Sequence, residues 1–272
     1  SYQEVARLSN KLITDVDLVD EVWSERPSIS HEPAFIYDEE YCGESRASKL
    51  ARLRSAMGDC QHHIITSLDD IVWLFNIRGN DVDCNPVVLS YALINQDNAI
   101  LYVQDNVVDV KTEAILKRDS IIIRAYNDIY EDVKKLTGKV LLDDQIVNYQ
   151  IFNNLNCEIK TAPNPTQHFK AIKNETEIKA TKNAHIKDGV AMTKFMYWLK
   201  NNVGKIELDE VTISDKLAAF RKEQNEFFDL SFDTICGYKA NAALMHYKAE
   251  PGNCAKVTNE GMLLIDSGGQ YL

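Results

Sequence analysis

The chain has 272 residues, 45% of them hydrophobic, and a formal net charge of −11 at pH 7. This length and apolar content suffice for one complete hydrophobic core and leave room for a second. The acidic balance argues against a nucleic-acid partner, which would need a basic face, and no uninterrupted apolar run approaches the roughly 18 residues of a membrane-spanning helix.

Cysteine usage and the N-terminal residues bear on the cellular compartment. The six cysteines are scattered singly, at positions 42, 60, 84, 157, 236 and 254. Because no Cys-x-x-Cys pair occurs, a zinc ribbon or a redox dithiol is unsupported, and free thiols in a reducing cytoplasm are expected. Residues 1–7 lack the basic-then-apolar pattern of a signal peptide, so we expect a cytoplasmic protein.

The first 40 residues carry only weak structural signals. Leu12, Val16 and Val19, with residues 22–23, could form a short apolar face. Pro27 and Pro33 then break any helix. We expect this stretch to be a linker or a remnant of another domain.

Residues 41–163 are expected to form an α/β domain. Residues 95–98, Asn-Gln-Asp-Asn, are typical of a hairpin turn. Strands that alternate with helices, with one hairpin among them, predict a mixed sheet. Periodicity predicts helices over residues 46–57, 128–136 and 147–155, and strands over residues 62–66, 86–93, 99–103, 121–123, 140–142 and 157–160.

A second domain is expected from residue 164 to residue 272. Pro163 and Pro165 favour extended backbone and mark the predicted linker. Asn174 and Glu177 have the spacing of a capping box, which predicts a long helix to about residue 200. Ser214 is the predicted cap of another helix, over residues 215–225. Strands are predicted over residues 230–235, 242–247 and 262–265.

The end of the chain carries the strongest chemical signal. A predicted buried strand over residues 262–265 delivers Asp266, and a Ser-Gly-Gly turn follows. A carboxylate in that position is costly to bury unless a cation or a metal meets it. From the residues alone, Asp266 is either a metal ligand or an aspartate that caps a turn. His246, which precedes Tyr247, is either a functional imidazole or a packed core histidine.

These segments also carry a family resemblance. Residues 241–247 and 261–272 resemble the beginning of the metal site of aminopeptidase P, the Xaa-Pro aminopeptidases of the pita-bread, or creatinase, metallopeptidase clan. Residues 68–92, with Trp73, resemble the middle domain of the three-domain type. Residues 177–232 resemble the opening helices of its catalytic domain.

The resemblance implies an α/β fold in which a creatinase N-terminal-like domain with a mixed sheet precedes the first part of an α+β pita-bread domain. The implied division is residues 41–163 for the creatinase-like domain and 164–272 for the N-terminal half of the catalytic domain. Residues 1–40 are then a remnant of a preceding domain. The chain is accordingly expected to be truncated at both ends.

The resemblance also implies the chemistry of the site. The family's dinuclear site takes two aspartates, one histidine and two glutamates, and the first aspartate matches Asp266. The other ligands would follow Leu272, so this chain alone is expected to be inactive. Such an oxygen-rich site suits two Mn²⁺ ions with a bridging hydroxide nucleophile. The match to His246 implies an imidazole that lines the substrate site and hydrogen-bonds the scissile peptide or the intermediate.

The implied activity is removal of the N-terminal residue from peptides with proline in second position. The implied protein is a cytoplasmic homo-oligomer, such as a dimer, without nucleic-acid or membrane partners. Two alternatives stay open: a catalytically dead pita-bread module that binds peptides or proteins, and a prolidase- or creatinase-like hydrolase. Arg78 could bind a substrate carboxylate or pair with Asp81 to brace a loop.

Overall fold

A computed structural model describes residues 1–8 and 16–272, and this described part divides into two compact units. The first unit comprises Ser1–Val82 and Pro86–Lys173, and the second comprises Asp83–Asn85 and Asn174–Leu272. No helix within the described ranges has the length and hydropathy needed to cross a membrane. Leu12, part of the apolar face predicted near the N-terminus, lies outside the described residues.

The described residues of the first unit form nine α-helices and eight paired strands. Its helices are α1 (Tyr2–Leu8), α2 (Leu18–Val22), α3 (Glu39–Cys42), α4 (Arg46–Ala56), α5 (Leu68–Phe75), α6 (Val110–Arg118), α7 (Ile129–Asp132), α8 (Tyr149–Asn154) and α9 (Pro165–Ala171). Its strands are β1 (Phe35–Ile36), β2 (His62–Ile65), β3 (Ile77–Arg78), β4 (Ser90–Asn95), β5 (Ala99–Val103), β6 (Ile121–Ala125), β7 (Lys139–Leu142) and β8 (Glu158–Thr161).

A six-stranded mixed sheet, in the order β6-β5-β4-β2-β7-β8, is the framework of the first unit. β4 pairs antiparallel with β2 and β5, whereas the other three pairings are parallel. Asn95 Oδ1 accepts hydrogen bonds from the backbone N–H groups of Asp97 and Asn98, at 2.9 and 2.8 Å, and so forms the hairpin turn between β4 and β5. The mixed α/β sheet predicted from the sequence is therefore confirmed.

Alternation along the strands separates two apolar clusters in the first unit. Ile64 and Leu93 belong to one cluster, and their chain neighbours Ile65 and Ala92 belong to the other. Because successive side chains of a strand point to opposite faces, the sheet is covered by apolar residues on both faces. This double burial explains why most of its strands are continuous apolar runs.

Several elements of the first unit differ from the prediction. The helix predicted over residues 128–136 is broken into α7 and two flanking 3₁₀ turns, Tyr126–Asp128 and Val133–Lys135. α5 was not predicted, because its buried residues include Val72, Trp73 and their neighbours on every side, which removes the one-sided periodicity of a surface helix.

The proline pair does not coincide with the division between the units. Pro165 occupies the first turn of α9, where its missing N–H costs nothing, and Phe169 of that helix packs against the larger apolar cluster of the first unit. The division instead falls between Lys173 and Asn174. Residues 34–36, from the stretch predicted to be a remnant, also contribute to the first unit, since Ala34 is buried in its core and β1 pairs with β3.

Asp81 braces a loop through contacts other than the predicted one. Its carboxylate accepts hydrogen bonds from Ser30 Oγ at 2.7 Å and from the N–H groups of Glu32 and Leu89 at 2.9 and 2.8 Å. Arg78 lies over the ring of Tyr37 at 4.1 Å and donates to backbone carbonyls of its own region.

The second unit begins with two helices and continues with paired strands. These elements are α10 (Glu175–Asn202), α11 (Glu210–Lys222), β9 (Phe227–Leu230), β10 (Ile235–Tyr238), β11 (Leu263–Asp266) and β12 (Gly269–Tyr271). The predicted capping box of Asn174 and Glu177 is present in both directions at the start of α10. α11 begins earlier than predicted, because Asp209 rather than Ser214 caps it by accepting from Thr212 N–H.

The strands of the second unit form two antiparallel pairs, β10 with β11 and β9 with β12. The strand predicted over residues 242–247 is instead a 3₁₀ turn, Lys239–Ala243, followed by a hydrogen-bonded turn. A single small apolar cluster joins α10, α11 and β10, and its buried members include Phe195, Ile213 and Leu217.

Candidate functional site

β11 delivers Asp266 at its last position, opposite Ile235 of β10. The strand is not buried as predicted, because it pairs only with β10 among the described residues, and Leu264 is 39% exposed. Asp266 is itself exposed, so its carboxylate is open to a cation. A Cβ at Gly268 would meet Ser231 Oγ, so a larger residue in the turn that follows Asp266 would require this serine side chain to rotate.

His246 lies in the turn that follows the 3₁₀ segment Lys239–Ala243. Its φ of 52° is in the left-handed region, which residues with a Cβ seldom adopt. His246 is exposed rather than packed in a core. Asp266 lies opposite the first residue of β10. The chain leading to His246 leaves β10 at its last residue, Tyr238. Their placement along β10 therefore does not bring the two residues together.

A buried carboxylate, Glu210, holds the segment that carries His246. Glu210 is the first residue of α11 and is fully buried. Its oxygens accept hydrogen bonds from Tyr238 N–H at 2.6 Å and from Ala255 N–H at 2.7 Å. Asn241 Nδ2 donates to both carboxylate oxygens, at 3.0 and 3.1 Å, and Tyr247 Oη donates at 2.8 Å. One side chain thus ties the end of β10, the segment with His246 and the segment at Ala255 to α11.

These contacts favour an ionised Glu210 beside a neutral Tyr247. Burial by itself would raise the pKa of Glu210, but hydrogen bonds from Ala255, Tyr238, Asn241 and Tyr247 outweigh it and hold the pKa below its usual value. Burial and the hydrogen bond to Glu210 raise the pKa of Tyr247 to about 12. The Tyr247 hydroxyl therefore stays a hydrogen-bond donor at neutral pH.

A second buried network lies behind the turn that follows Asp266. Arg221 of α11 is fully buried, and its Nε and Nη2 donate to the two oxygens of Asp188 on α10, at 2.7 and 3.1 Å. Tyr271 Oη donates to Asp188 Oδ1 at 3.1 Å. Burial opposes ionisation of Asp188, yet the Arg221 contacts keep its pKa below the usual value. This network joins β12, and hence the far side of the turn, to both helices.

The described residues do not form a complete metal site. Nowhere among them do three or more His, Cys, Asp or Glu side chains gather in a geometry that could hold an ion. Asp266 has the chemistry of one ligand, since a carboxylate is a hard oxygen donor. A dinuclear centre would need further ligands, so no catalytic step can be derived through metals in these residues.

Sequence reasoning missed Glu210 and the Arg221–Asp188 pair as organisers of the site. A capping signal for Glu210 exists, because Asp209 precedes it and Thr212 follows three residues after Asp209. The hydrogen-bond partners of Glu210 carry no such local signal, since they lie 28 to 45 residues away along the chain.

Comparison with known proteins identifies both regions of the chain. Residues 25–177 match the Creatinase/Prolidase N-terminal domain family, and residues 179–272 match Metallopeptidase family M24. A protein of Chaetomium globosum named "Probable Xaa-Pro aminopeptidase P" is 36% identical over 274 residues, which cover 94% of this chain and 44% of that protein. A protein of the same name from Talaromyces marneffei is 35% identical over 288 residues, with 99% and 44% covered. The chain thus spans less than half the length of these curated relatives.

Solved structures agree with this assignment. An X-prolyl aminopeptidase from Caenorhabditis elegans, described as "a cytosolic enzyme with a di-nuclear active site", superposes with a TM-score of 0.87 at 30% identity, covering 94% of this chain and 44% of that one. An Xaa-Pro dipeptidase from Bacillus anthracis shares the fold at 19% identity, with a TM-score of 0.61 and with 84% and 62% covered. The expected resemblance is confirmed, and the chain belongs to the creatinase/prolidase family, with an M24 metallopeptidase region after its N-terminal domain.

Proposed function

We propose that this chain is part of a longer Xaa-Pro aminopeptidase, which removes the first residue from peptides with proline in second position. The observation that carries the proposal is the exposed Asp266 at the end of β11, within a region that matches M24 metallopeptidases. The likeness of nearly the whole chain to an X-prolyl aminopeptidase supports the same activity over the alternatives within the clan.

In this proposal Asp266 is one metal ligand, and His246 contacts the substrate. An imidazole can donate a hydrogen bond to an oxygen that gains negative charge as the peptide bond is attacked. Glu210 is a positioning residue, because it holds Tyr247 immediately beside His246. Arg221 has the same role for the turn after Asp266, through Asp188 and Tyr271.

The metal, the compartment and the assembly are part of the same proposal. We assign Mn²⁺, two ions per active site, because oxygen-rich ligand sets suit this metal, which would supply Lewis-acid chemistry when bound. A cytoplasmic location is supported by the description of the C. elegans enzyme as cytosolic. A homo-oligomer is proposed on the resemblance, and light scattering on the longer protein would measure its mass.

The longer protein should be tested with an Xaa-Pro-Xaa peptide and with the same peptide carrying alanine instead of proline. We expect release of the first residue from the proline peptide in Mn²⁺, and loss of that release with a chelator. The 272-residue chain should show neither activity nor tight Mn²⁺ binding, since the described residues hold no complete ligand set. Cleavage restricted to Xaa-Pro dipeptides would indicate a prolidase, and peptide binding without cleavage would indicate a binding module.

Three variants separate the proposed roles. Asp266→Ala should abolish activity and weaken metal binding, because a ligand is removed. His246→Ala should leave metal binding nearly intact and lower turnover by roughly 10²–10³, the usual effect of losing one such hydrogen bond. Asp233→Ala is the matched control, since this exposed carboxylate pairs with Lys248, and it should keep wild-type turnover. Full turnover in Asp266→Ala would contradict the ligand assignment.

A further inference from the structure

Four polar side chains are buried in the first unit, which contains neither Asp266 nor His246. Asn164 hydrogen-bonds Asp70, the charge of Asp70 acts on His63, and Thr166 follows Asn164 by two residues. His63 lies on β2, Asp70 in the first turn of α5, and Asn164 and Thr166 at the start of α9. None is more than 2% exposed. We call these four residues the buried polar cluster. Each contributes one buried atom that has no hydrogen-bond partner among the described protein atoms: His63 Nε2, Asp70 Oδ1, Asn164 Oδ1 and Thr166 Oγ1.

The hydrogen bond made by Nδ1 of His63 fixes which ring nitrogen carries the proton. Its Nδ1 lies 3.0 Å from the carbonyl oxygen of Leu141, which can only accept, so Nδ1 carries the proton. Burial lowers the pKa of His63 to about 4, against the opposing effects of the Leu141 hydrogen bond and the Asp70 charge. His63 is therefore neutral at physiological pH, and its Nε2 is a buried acceptor that needs a donor.

The contacts of Asp70 and Asn164 leave two further acceptors. Asn164 Nδ2 donates one of its two protons to Asp70 Oδ2 at 3.3 Å, and Asn164 Oδ1 has no partner among the described protein atoms. Lys170 Nζ lies 3.2 Å from Asp70 Oδ1 and balances its charge, but in a geometry that does not make a hydrogen bond. The cluster thus has acceptors on His63, Asp70 and Asn164.

The cluster has fewer hydrogen-bond donors than acceptors. Thr166 Oγ1 can donate one proton and accept one, so it can satisfy only one of the three acceptors. A water molecule that accepts the Thr166 proton has two protons to donate, which suffice for His63 Nε2 and Asn164 Oδ1, and Lys170 Nζ lies beside the remaining acceptor, Asp70 Oδ1. An anion is disfavoured by Asp70, and a metal cation is disfavoured because Lys170 already balances that carboxylate.

We propose that the buried polar cluster is an internal water-binding site, in which a bound water accepts from Thr166 Oγ1 and donates to His63 Nε2 and Asn164 Oδ1, while Asp70 Oδ1 faces the Lys170 ammonium. Such a water would link β2 to the start of α9, in addition to the direct hydrogen bond between Asn164 and Asp70 of α5. It would thereby hold α9, the last helix of the first unit, to the central sheet. The site is independent of the proposed peptidase activity.

A crystal structure of the 272-residue chain, at a resolution that shows ordered water, tests the site directly. We expect a density peak at hydrogen-bonding distance, about 2.7–3.2 Å, from His63 Nε2 and from at least one of the other three free atoms. A dry cluster would overturn the proposal, as would direct hydrogen bonds among the four side chains that satisfy them without solvent.

Thr166→Val tests the site in solution, because the melting temperature should fall if the cluster is hydrated and should not fall if it is dry. If water is bound, the variant deletes its donor and should lower the melting temperature of the first unit by about 2–4 °C. If the cluster is dry, the variant removes an unpartnered hydroxyl, and the melting temperature should stay constant or rise. Thr137→Val is the matched control at an exposed position and should shift the melting temperature by no more than about 1 °C.

A comparison of salts distinguishes water from a bound cation. A site filled by water should give the same melting temperature in sodium, potassium and choline chloride at equal ionic strength. A melting temperature that rises specifically with sodium or potassium, and loses this response in Thr166→Val, would assign a cation and overturn the proposal. If Thr166→Val does not fold, the wild-type crystal structure and this salt series still decide the question.

Discussion

Different interactions stabilise the interior of each of the two units. Among the described residues of the first unit, 23 and ten buried apolar residues pack in clusters on the two faces of a six-stranded sheet. In the second unit the described apolar cluster has seven buried residues, and the strands are joined only in pairs. Two fully buried charged residues, Glu210 and Arg221, connect these pairs to the helices.

The two units therefore depend on different kinds of residue for their stability. In a large apolar core each side chain is one of many, and its neighbours can relax around a small change. In the second unit one carboxylate satisfies two backbone N–H groups and two side chains from distant parts of the chain. The segment that carries His246 is therefore expected to depend on Glu210 more than on any single apolar contact.

The largest expected effect comes from removing that carboxylate. Glu210→Ala would leave the buried N–H groups of Tyr238 and Ala255 without acceptors, together with the side-chain donors of Asn241 and Tyr247. We expect the second unit to lose about 3–5 kcal/mol of stability, because each buried group left unpaired costs roughly 1–3 kcal/mol. Urea unfolding gives the free energy, and hydrogen exchange at residues 235–255 shows which segment loosens.

Glu207→Ala is the matched control for Glu210→Ala. Glu207 is three residues away, and its exposed side chain forms an ion pair with Lys256. Exposed pairs of this kind contribute little, so the change should stay within about 0.5 kcal/mol. If the two variants were equally stable, the second unit would not depend on its buried carboxylate, and the contrast between the units would fail.

The same contrast explains what the sequence could predict. Two local signals are confirmed, the Asn95 turn and the capping box of Asn174 and Glu177, which use partners within three residues along the chain. The cap predicted at Ser214 was wrong, because Asp209 caps α11. Apolar runs located most strands of the first unit, because a sheet covered on both faces selects apolar residues at every position. The helix α5 was missed because its residues 71–75 form an uninterrupted apolar run.

The site could be predicted only in part. The position of Asp266 at a strand end follows from its neighbours, whereas the exposure of β11 depends on how few strands pair with it. The roles of Glu210 and Arg221 depend on contacts 28 or more residues away, which neither periodicity nor spacing records. Pro165 misled the prediction of the division, because a proline suits the first turn of a helix as well as a linker.

The second prediction is that, as the pH falls, the first unit loses stability at a higher pH than the second unit does. Burial lowers the pKa of His63 from 6.5 to about 4, so the unfolded chain binds more protons than the folded one between these values. The stabilisation from neutral His63 is complete above pH 6.5 and falls as the pH drops, by about 2 kcal/mol at pH 5 and on the order of 3 kcal/mol in full. The lowered pKa values of Glu210 and Asp188 act only at more acid pH, below the ordinary carboxylate values of 4.5 and 3.8.

Urea unfolding at pH 7 and pH 5 measures this difference. In a Trp198→Phe chain, fluorescence reports mainly on the buried Trp73 of the first unit. His63→Gln removes the titrating group and should flatten the pH dependence, whereas His62→Gln, at a less buried neighbour whose pKa burial also lowers, should retain most of it. An equally steep loss of stability in the His63→Gln chain would assign the acid sensitivity to other groups.

The smallest effects are expected from two glycines of the second unit. A Cβ at Gly237 of β10 would lie 2.8 Å from Ala242 Cα, a backbone atom that cannot move aside cheaply, whereas a Cβ at Gly189 of α10 would meet nothing within 4 Å. Gly237→Ala should therefore destabilise the second unit by about 1–3 kcal/mol through overpacking. Gly189→Ala should stabilise it by up to about 1 kcal/mol, because alanine favours the helix interior. Urea unfolding of both variants measures whether each one loses or gains stability. Equal effects would mean that the close approach of β10 to residues 241–242, which begins the path to His246, is not a fixed feature of the fold.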